Sequence, residues 1–374
     1  MKLAVFCVSL FLAHSVAVHS VQNRPQPVIF NFGDSLSDTG GYEAGTGDCV
    51  PWPYGRVFFN QPSGRRCDGR LVLDFLCDSL NITFLMPYLE SLGQNGFNNG
   101  ANFGIIGAGT LPRHDSYNLG VQISQFLRFR SRSLRLRSTG IQGYTDEDGF
   151  NNALYIIDIG GNDLSHAFKK LPYQKAKATV PKIIDEIRNA ILKLREQGAR
   201  NFWVPNSHPL GCLPLLLSAG NFTEADLDQY GCLLSLNDLI KIYNEKLQIL
   251  CRELQMEFSN ATVVYADIYS IRHELITNPL SYGLKYANNA TTSCCGHGGF
   301  PYNADGDDVS CGVEPYNVCA NGAEYVSWDG LHYSEAANAL TAAKILSAKY
   351  TTPPLSFDFF FTKTPASSQL HSSM

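Results

Sequence analysis

Near one end of the chain stands Val28-Ile29-Phe30-Asn31-Phe32-Gly33-Asp34-Ser35-Leu36-Ser37-Asp38-Thr39-Gly40-Gly41, an apolar run that stops at a turn presenting a serine. Near the other end stands Trp328-Asp329-Gly330-Leu331-His332, with a carboxylate and an imidazole three residues apart. A serine hydroxyl is a weak nucleophile. It needs an adjacent base, and the base needs a third group to hold its tautomer and orientation. Ser35, His332 and Asp329 can fill those roles if the fold joins strings almost 300 residues apart. Alone, each string has a plainer reading, as an ordinary turn after a strand and as a surface pair of polar residues.

Serine attack on an ester creates an oxyanion, which must meet pre-aimed hydrogen-bond donors. Losing one such donor typically costs ~10²–10³ in rate. Two segments suit the task. In Gly100-Ala101-Asn102-Phe103-Gly104-Ile105-Ile106-Gly107-Ala108-Gly109, a glycine N–H can come close to a ligand. In Leu154-Tyr155-Ile156-Ile157-Asp158-Ile159-Gly160-Gly161-Asn162-Asp163, a buried type of strand runs into a Gly-Gly-Asn-Asp turn. Asn162 then stands at the carboxyl end of a strand, where open α/β sheets bind ligands. The competing readings are a packing role for Gly107 and a helix N-cap role for Asn162.

These four strings, in this order, resemble the blocks of the SGNH hydrolases, and more narrowly the plant GDSL esterase/lipase family. Trp52-Pro53-Tyr54-Gly55-Arg56, Asp68-Gly69-Arg70-Leu71, Pro209-Leu210-Gly211-Cys212-Leu213-Pro214 and Ser293-Cys294-Cys295-Gly296 extend the likeness over nearly the whole chain. Asp38-Thr39-Gly40-Gly41 is similar to the subgroup holding nodulin-like and fucosidase-like proteins and glycoside acetylesterases. The resemblance implies that Ser35 is the nucleophile, His332 the general base and Asp329 its orienting group. It also implies an oxyanion hole from the Ser35 N–H, the Gly107 N–H and the Asn162 side chain. Two departures stand out. Ile105-Ile106 precede Gly107 where smaller or polar residues are common, and His208 replaces a small residue. His208 lines the cleft or is a structural loop histidine.

The elements that must position these residues alternate. Strands are expected over Pro27–Phe32, Asn102–Ile106, Ala153–Ile159, Asn201–Pro205 and Thr262–Ala266. Helical spacing runs over Arg70–Leu80, Val180–Gln197 (stopped by Gly198), Leu227–Phe258 and Ser334–Tyr350. Strands alternating with helices imply a parallel sheet covered on both faces. The expected fold is a three-layer α/β/α sandwich, flavodoxin-like, with about five parallel strands. Residues 21–350 are read as one hydrolase domain, because a cut anywhere in the middle would part nucleophile from base. Residues 351–374 are read as a C-terminal tail, and an arginine-rich stretch from Phe126 to Arg137 as the solvated side of a surface element.

Residues 1–20 read as a secretory signal peptide: Lys2 leads a short apolar run that ends in the small residues around Ser20. No other stretch approaches ~18 apolar residues, so no membrane span is expected. Of 11 cysteines Cys7 falls in the leader, and the even remainder suggests disulfides in an oxidising compartment. Cys49–Cys67 and Cys212–Cys232 are the expected local bridges. Adjacent Cys294 and Cys295, with Cys311, Cys319 and His297, lack the usual zinc spacing, and neither metal nor cofactor is expected. Sequons at Asn81, Asn221, Asn260 and Asn289 are candidate glycan sites. A net charge of −5 without a basic tail gives no sign of nucleic acid.

The expected function is a secreted esterase, in the cell wall space or a vacuole, acting on a small-molecule or lipid ester through an acyl-Ser35 intermediate. The alternative is an acyltransferase that passes the same acyl group to an alcohol or hydroxy acid. A third reading, a non-enzymatic protein on a hydrolase scaffold, sits badly with the intact set Ser35, Gly107, Asn162, Asp329 and His332.

Overall fold

A computed structural model describes residues 26–91, 97–112, 117–284, 291–305 and 309–362. Five short apolar segments pair in parallel: β1 (Ile29–Gly33), β2 (Gly100–Asn102), β3 (Leu154–Asp158), β4 (Asn201–Pro205) and β5 (Thr262–Ala266). Two-residue strands β6 (Cys295–Gly296) and β7 (Asn317–Val318) make a separate ribbon. A last strand, β8 (Thr351–Thr352), adds to β5 in the antiparallel sense, so the main sheet has order β2-β1-β3-β4-β5-β8. The register is direct, with Ile29 beside Leu154 and Asn201 beside Thr262. The strands are almost wholly buried, as expected where both faces of a parallel sheet are covered.

Alternate strand residues face two cores. On one side Phe30, Phe32, Tyr155, Ile157, Phe202 and Val204 pack against the helices Leu119–Ser138, Val180–Glu196 and Leu234–Glu257. In Val180–Glu196 the inward residues are Val180, Ile183, Ile187, Ala190, Ile191 and Leu194, a helical stripe read directly off the sequence. On the other side Ile29, Leu154, Ile156, Trp203 and Val264 meet residues of the helices Val72–Ser79, Ile268–Thr277 and Glu335–Leu346. The three-layer α/β/α architecture is therefore as expected, with a sixth, antiparallel strand at the edge.

That sixth strand comes from the expected tail. Residues 351–362 pack on the body: Phe357 and Phe360 are buried edge-on against Trp203. The second strand also differs. It is Gly100–Asn102 rather than Asn102–Ile106, and the chain beyond continues as loop bonded to β1 through Phe103 N–H to Asn31 O and Ile105 N–H to Gly33 O. The arginine stretch is helical. Ile123, Phe126 and Phe129 point inward, Arg128, Arg132 and Arg135 lie exposed, and Arg130 and Arg137 pair with Glu147 and Asp146.

Among the described residues three bridges close: Cys212–Cys232, Cys294–Cys319 and Cys295–Cys311. The last two spend the four sulfurs that a zinc reading of that cluster would need. The expected Cys49–Cys67 bridge is absent. Cys49 lies exposed, whereas Cys67 is buried with its Sγ accepting from Gly69 N–H and Asn338 Nδ2. A short loop length did not bring the two sulfurs together. Asn81, Asn221 and Asn260 are exposed, as a glycan would require, while Asn289 and residues 1–20, expected to be a leader, lie outside the described residues.

Candidate active site

The order β2-β1-β3-β4-β5 reverses direction between β1 and β3. In sheets of this kind ligands bind beyond the carboxyl ends of the strands at that point. Ser35 follows β1 and Asn162 follows β3, so both leave the sheet there.

The serine turn is held from several sides. Gly33 is gripped by Gln122, which accepts from its N–H at 3.0 Å and donates to its carbonyl at 2.8 Å. Asp34 Oδ1 accepts from Leu36 N–H, and the Asp34 carbonyl accepts from Ser37 and Asp38 N–H. Beneath the turn Asn31 donates to Ser37 Oγ and Asn102 Oδ1, while Asn102 donates to the Ser37 carbonyl. Ser35 itself is 7% exposed.

The Asp329–His332 turn arrives from the opposite end of the chain. Asp329 Oδ1 accepts from the N–H groups of Leu331 and His332. Its Oδ2 lies 2.6 Å from His332 Nδ1 and accepts from the Tyr54 hydroxyl at 2.8 Å. His332 Nε2 lies 2.8 Å from Ser35 Oγ. Burial pushes the Asp329 carboxyl up, but the charge and hydrogen bonds of His332 outweigh it and hold it down at about 2. A carboxylate has no proton to give, so Nδ1–H donates to it and Nε2 is left to accept from the serine.

Asn162 is not the helix N-cap. Gly160, with φ of 118°, caps the helix Gly161–Lys170, and Asn162 sits inside its first turn. Its Nδ2 donates to the Ala108 carbonyl at 2.9 Å and lies 3.4 Å from Asp34 Oδ2. Gly107 stands beside Ala108 with φ of 77°, and an added Cβ would meet nothing within 4 Å. Glycine is thus needed there for backbone conformation rather than for packing. The structure brings Asn162 against the Gly107–Ala108 turn at the same end of the sheet as Ser35.

Asp38 and Asp163 tie this loop down, and neither carries a sequence signal for that role. Asp38 is fully buried and accepts from the N–H groups of Gly40, Gly41, Tyr42 and Ile106. It therefore links the serine turn to the residue before Gly107. Asp163 accepts from Thr110 and Leu111 N–H. Tyr54 belongs to the Trp52-Pro53-Tyr54-Gly55-Arg56 string that carries part of the family likeness. Its bond to Asp329 spans 275 residues and has no local sequence signal.

The cleft at Ser35 is lined by the apolar Leu36, Leu210, Leu215, Leu216 and Leu331 and by the polar Asp34, Asn162, Ser165, Lys169 and His208. His208 lines the cleft and is also built into the loop, 7% exposed. A second cavity lies under the turn, where Asp158 and Arg272 face each other among Val72, Leu76 and Trp203.

Burial and the negative charge of Asp158 push the Asp34 carboxyl up to about 7, against Leu36 N–H and Arg272. An acid raised in this way holds its proton more tightly folded than unfolded. Its contribution is full below the unfolded value and is lost as pH rises toward the folded one. Asp34→Asn removes that loss. Its stability relative to wild type is therefore expected to improve by about 2–3 kcal/mol between pH 5 and pH 8, read from denaturant melts at both. A difference that does not move with pH would show that Asp34 titrates normally.

A buried hydroxyl, imidazole and carboxylate in series at the switch point of a doubly wound sheet define a serine hydrolase. The chain belongs to the family described as GDSL-like Lipase/Acylhydrolase, whose profile it matches over residues 29–345. It is similar to GDSL esterase/lipase LIP-4 of Arabidopsis thaliana, at 48% identity over 339 residues, 90% of this chain and 89% of that one. It is also similar to Alpha-L-fucosidase 3 of Arabidopsis thaliana, at 38% identity over 364 residues, 91% of this chain and 95% of that one. Among solved structures, phospholipase A1 from Streptomyces albidoflavus NA297 aligns with a TM-score of 0.40 and 13% identity, covering 85% of this chain and 96% of that one. The protein is a serine esterase/lipase.

Proposed function

We propose that this esterase is secreted and cleaves acyl esters of a plant metabolite, cell-wall component or lipid through an acyl-Ser35 intermediate. The observation that carries the reading is the contact of Ser35 Oγ with His332 Nε2 at 2.8 Å, backed by Asp329 at 2.6 Å. Ser35 Oγ attacks the acyl carbon while His332 Nε2 takes its proton. The oxyanion meets the N–H groups of Ser35 and Gly107 and the Asn162 amide. The C–O bond to the alcohol breaks, and the alcohol leaves with the proton from His332. Water, deprotonated by His332, then frees the acid and restores Ser35. Three disulfides and three exposed sequons support passage through an oxidising, glycosylating compartment. No helix among the described residues is long and apolar enough to cross a membrane.

A relative named for fucosidase raises glycoside cleavage as a second chemistry. That reaction uses two carboxylates flanking the scissile bond. Asp329 is 1% exposed and spent on His332, Leu331 and Tyr54, which favours the ester reading. Mass spectrometry of products from a panel of acyl esters, with and without hydroxylated acceptors, tests it. Free acid under both conditions is expected. A new ester formed only with acceptor, with little free acid, would make the enzyme a transferase. No turnover and no mass added to Ser35 would overturn the reading.

A further inference from the structure

His208 follows β4 and lines the catalytic cleft, yet the steps above do not use it. Its Nδ1 lies 3.0 Å from the Tyr333 hydroxyl, and the two rings meet edge to face at 5.3 Å. The Arg272 guanidinium covers the Tyr333 ring, 3.9 Å from its centroid. Arg272 and Tyr333 are 3% and 2% exposed, so this stack is fixed from below.

The direction of the His208–Tyr333 bond follows from burial. The Tyr333 phenol is pushed up to about 12 by burial, with Arg272 pulling the other way, so it keeps its proton at neutral pH. Among the described residues that proton has one acceptor within reach, His208 Nδ1. If Nδ1 donated instead, a buried hydroxyl proton would go unpaired, the costlier arrangement. Burial, Arg272 and His332 together push the His208 imidazole well below its usual range, so the ring is neutral. A neutral ring that accepts at Nδ1 carries its proton on Nε2. Nε2 is not among the sealed, unpaired atoms of the interior, and His208 lines the cleft.

We propose that His208 is a specificity residue whose Nε2–H donates to an oxygen on the alcohol half of the bound ester, selecting esters of polyhydroxylated alcohols over those of plain alkyl alcohols. This rests on the esterase reading. An alkyl acyl chain offers a donor nothing and suits the leucines of the cleft lining. His208, a polar group of the same lining, is then left for the alcohol. A site built to bond a substrate oxygen discriminates against the analogue that lacks it, because its own polar group is left unpaired.

The test compares kcat and KM of the full chain on two acetates, methyl 6-O-acetylglucoside and hexyl acetate. Wild type, His208→Ala and His208→Gln are measured on both. Glutamine keeps an N–H donor near the place of Nε2. The alanine variant is expected to raise KM for the glucoside ester about tenfold with little change in kcat, the worth of one neutral hydrogen bond. Its effect on the hexyl ester is expected to be much smaller, and glutamine is expected to restore most of the loss. Equal losses on both esters, or a glutamine variant as impaired as alanine, would overturn the assignment. A wild type inert on every ester, with no acyl mass on Ser35, would sink the esterase reading and this inference with it.

Discussion

Ser35→Ala is expected to lower kcat on a small acyl ester by about 10⁵–10⁶ while leaving the melting temperature within a degree or two of wild type. The rate loss is large because the hydroxyl that reaches His332 Nε2 is that of Ser35, and alanine offers the base no proton to take. The stability is kept because the turn hangs on other groups. Gln122 holds Gly33, Asp34 holds Leu36, and Asp38 holds Gly40, Gly41 and Ile106. Burst release of alcohol and intact mass of the enzyme give the readouts. The variant should show neither burst nor acyl adduct. Turnover retained at more than a hundredth of wild type would rule out Ser35 as the nucleophile.

Asp329→Asn is expected to cost about 10⁴ in kcat, less than His332→Ala, with a small change in KM. The argument lies in which oxygen becomes nitrogen. Oδ1 accepts two backbone N–H groups, so the amide oxygen must stay there. The amide NH₂ then takes the place of Oδ2, facing His332 Nδ1 and the Tyr54 hydroxyl. Facing a donor, Nδ1 must accept, and the imidazole proton moves to Nε2. The nitrogen that should take the serine proton now carries one of its own. Activity equal to wild type in this variant would mean that Asp329 does not orient the base.

Much of the fold was legible because parallel strands are buried on both faces and read as unbroken apolar runs. Asn201–Pro205 and Thr262–Ala266 match the expectation residue for residue. β2 did not, and the reason is specific. It begins at Gly100, where φ is 103° and a Cβ would stand 1.8 Å from the Ile29 carbonyl oxygen. The strand starts where a side chain is forbidden, and apolar patterning cannot see such a start. The long helix was read from Leu227 but begins at Leu234. The intervening residues form a turn, with Asp228 accepting from Tyr230 and Cys232 N–H, ahead of a bridge to Cys212.

The reacting residues were legible because each role demands a residue type, and the strings that carry them are short. Their supports were not. Tyr54 reaches Asp329, Asp38 reaches Ile106 and Gln122 reaches Gly33 across long stretches of chain. Nothing in the local pattern of a tyrosine, an aspartate or a glutamine distinguishes a distant anchor from an ordinary polar side chain. His208 does stand out in the sequence, but its contact with Tyr333 and the Arg272 stack beneath it do not.

Ser35 and His332 are separated by 297 residues. At about 5–20 residues per second of synthesis, the imidazole leaves the ribosome roughly 15–60 s after the hydroxyl. Throughout that interval the growing chain carries an unactivated alcohol, no more reactive than any other serine. The enzyme therefore needs no inhibitory propeptide to be harmless to the esters of the cell that makes it while it is being made. A chain broken off before Asp329 stays inert for good, so premature termination yields waste rather than a stray hydrolase.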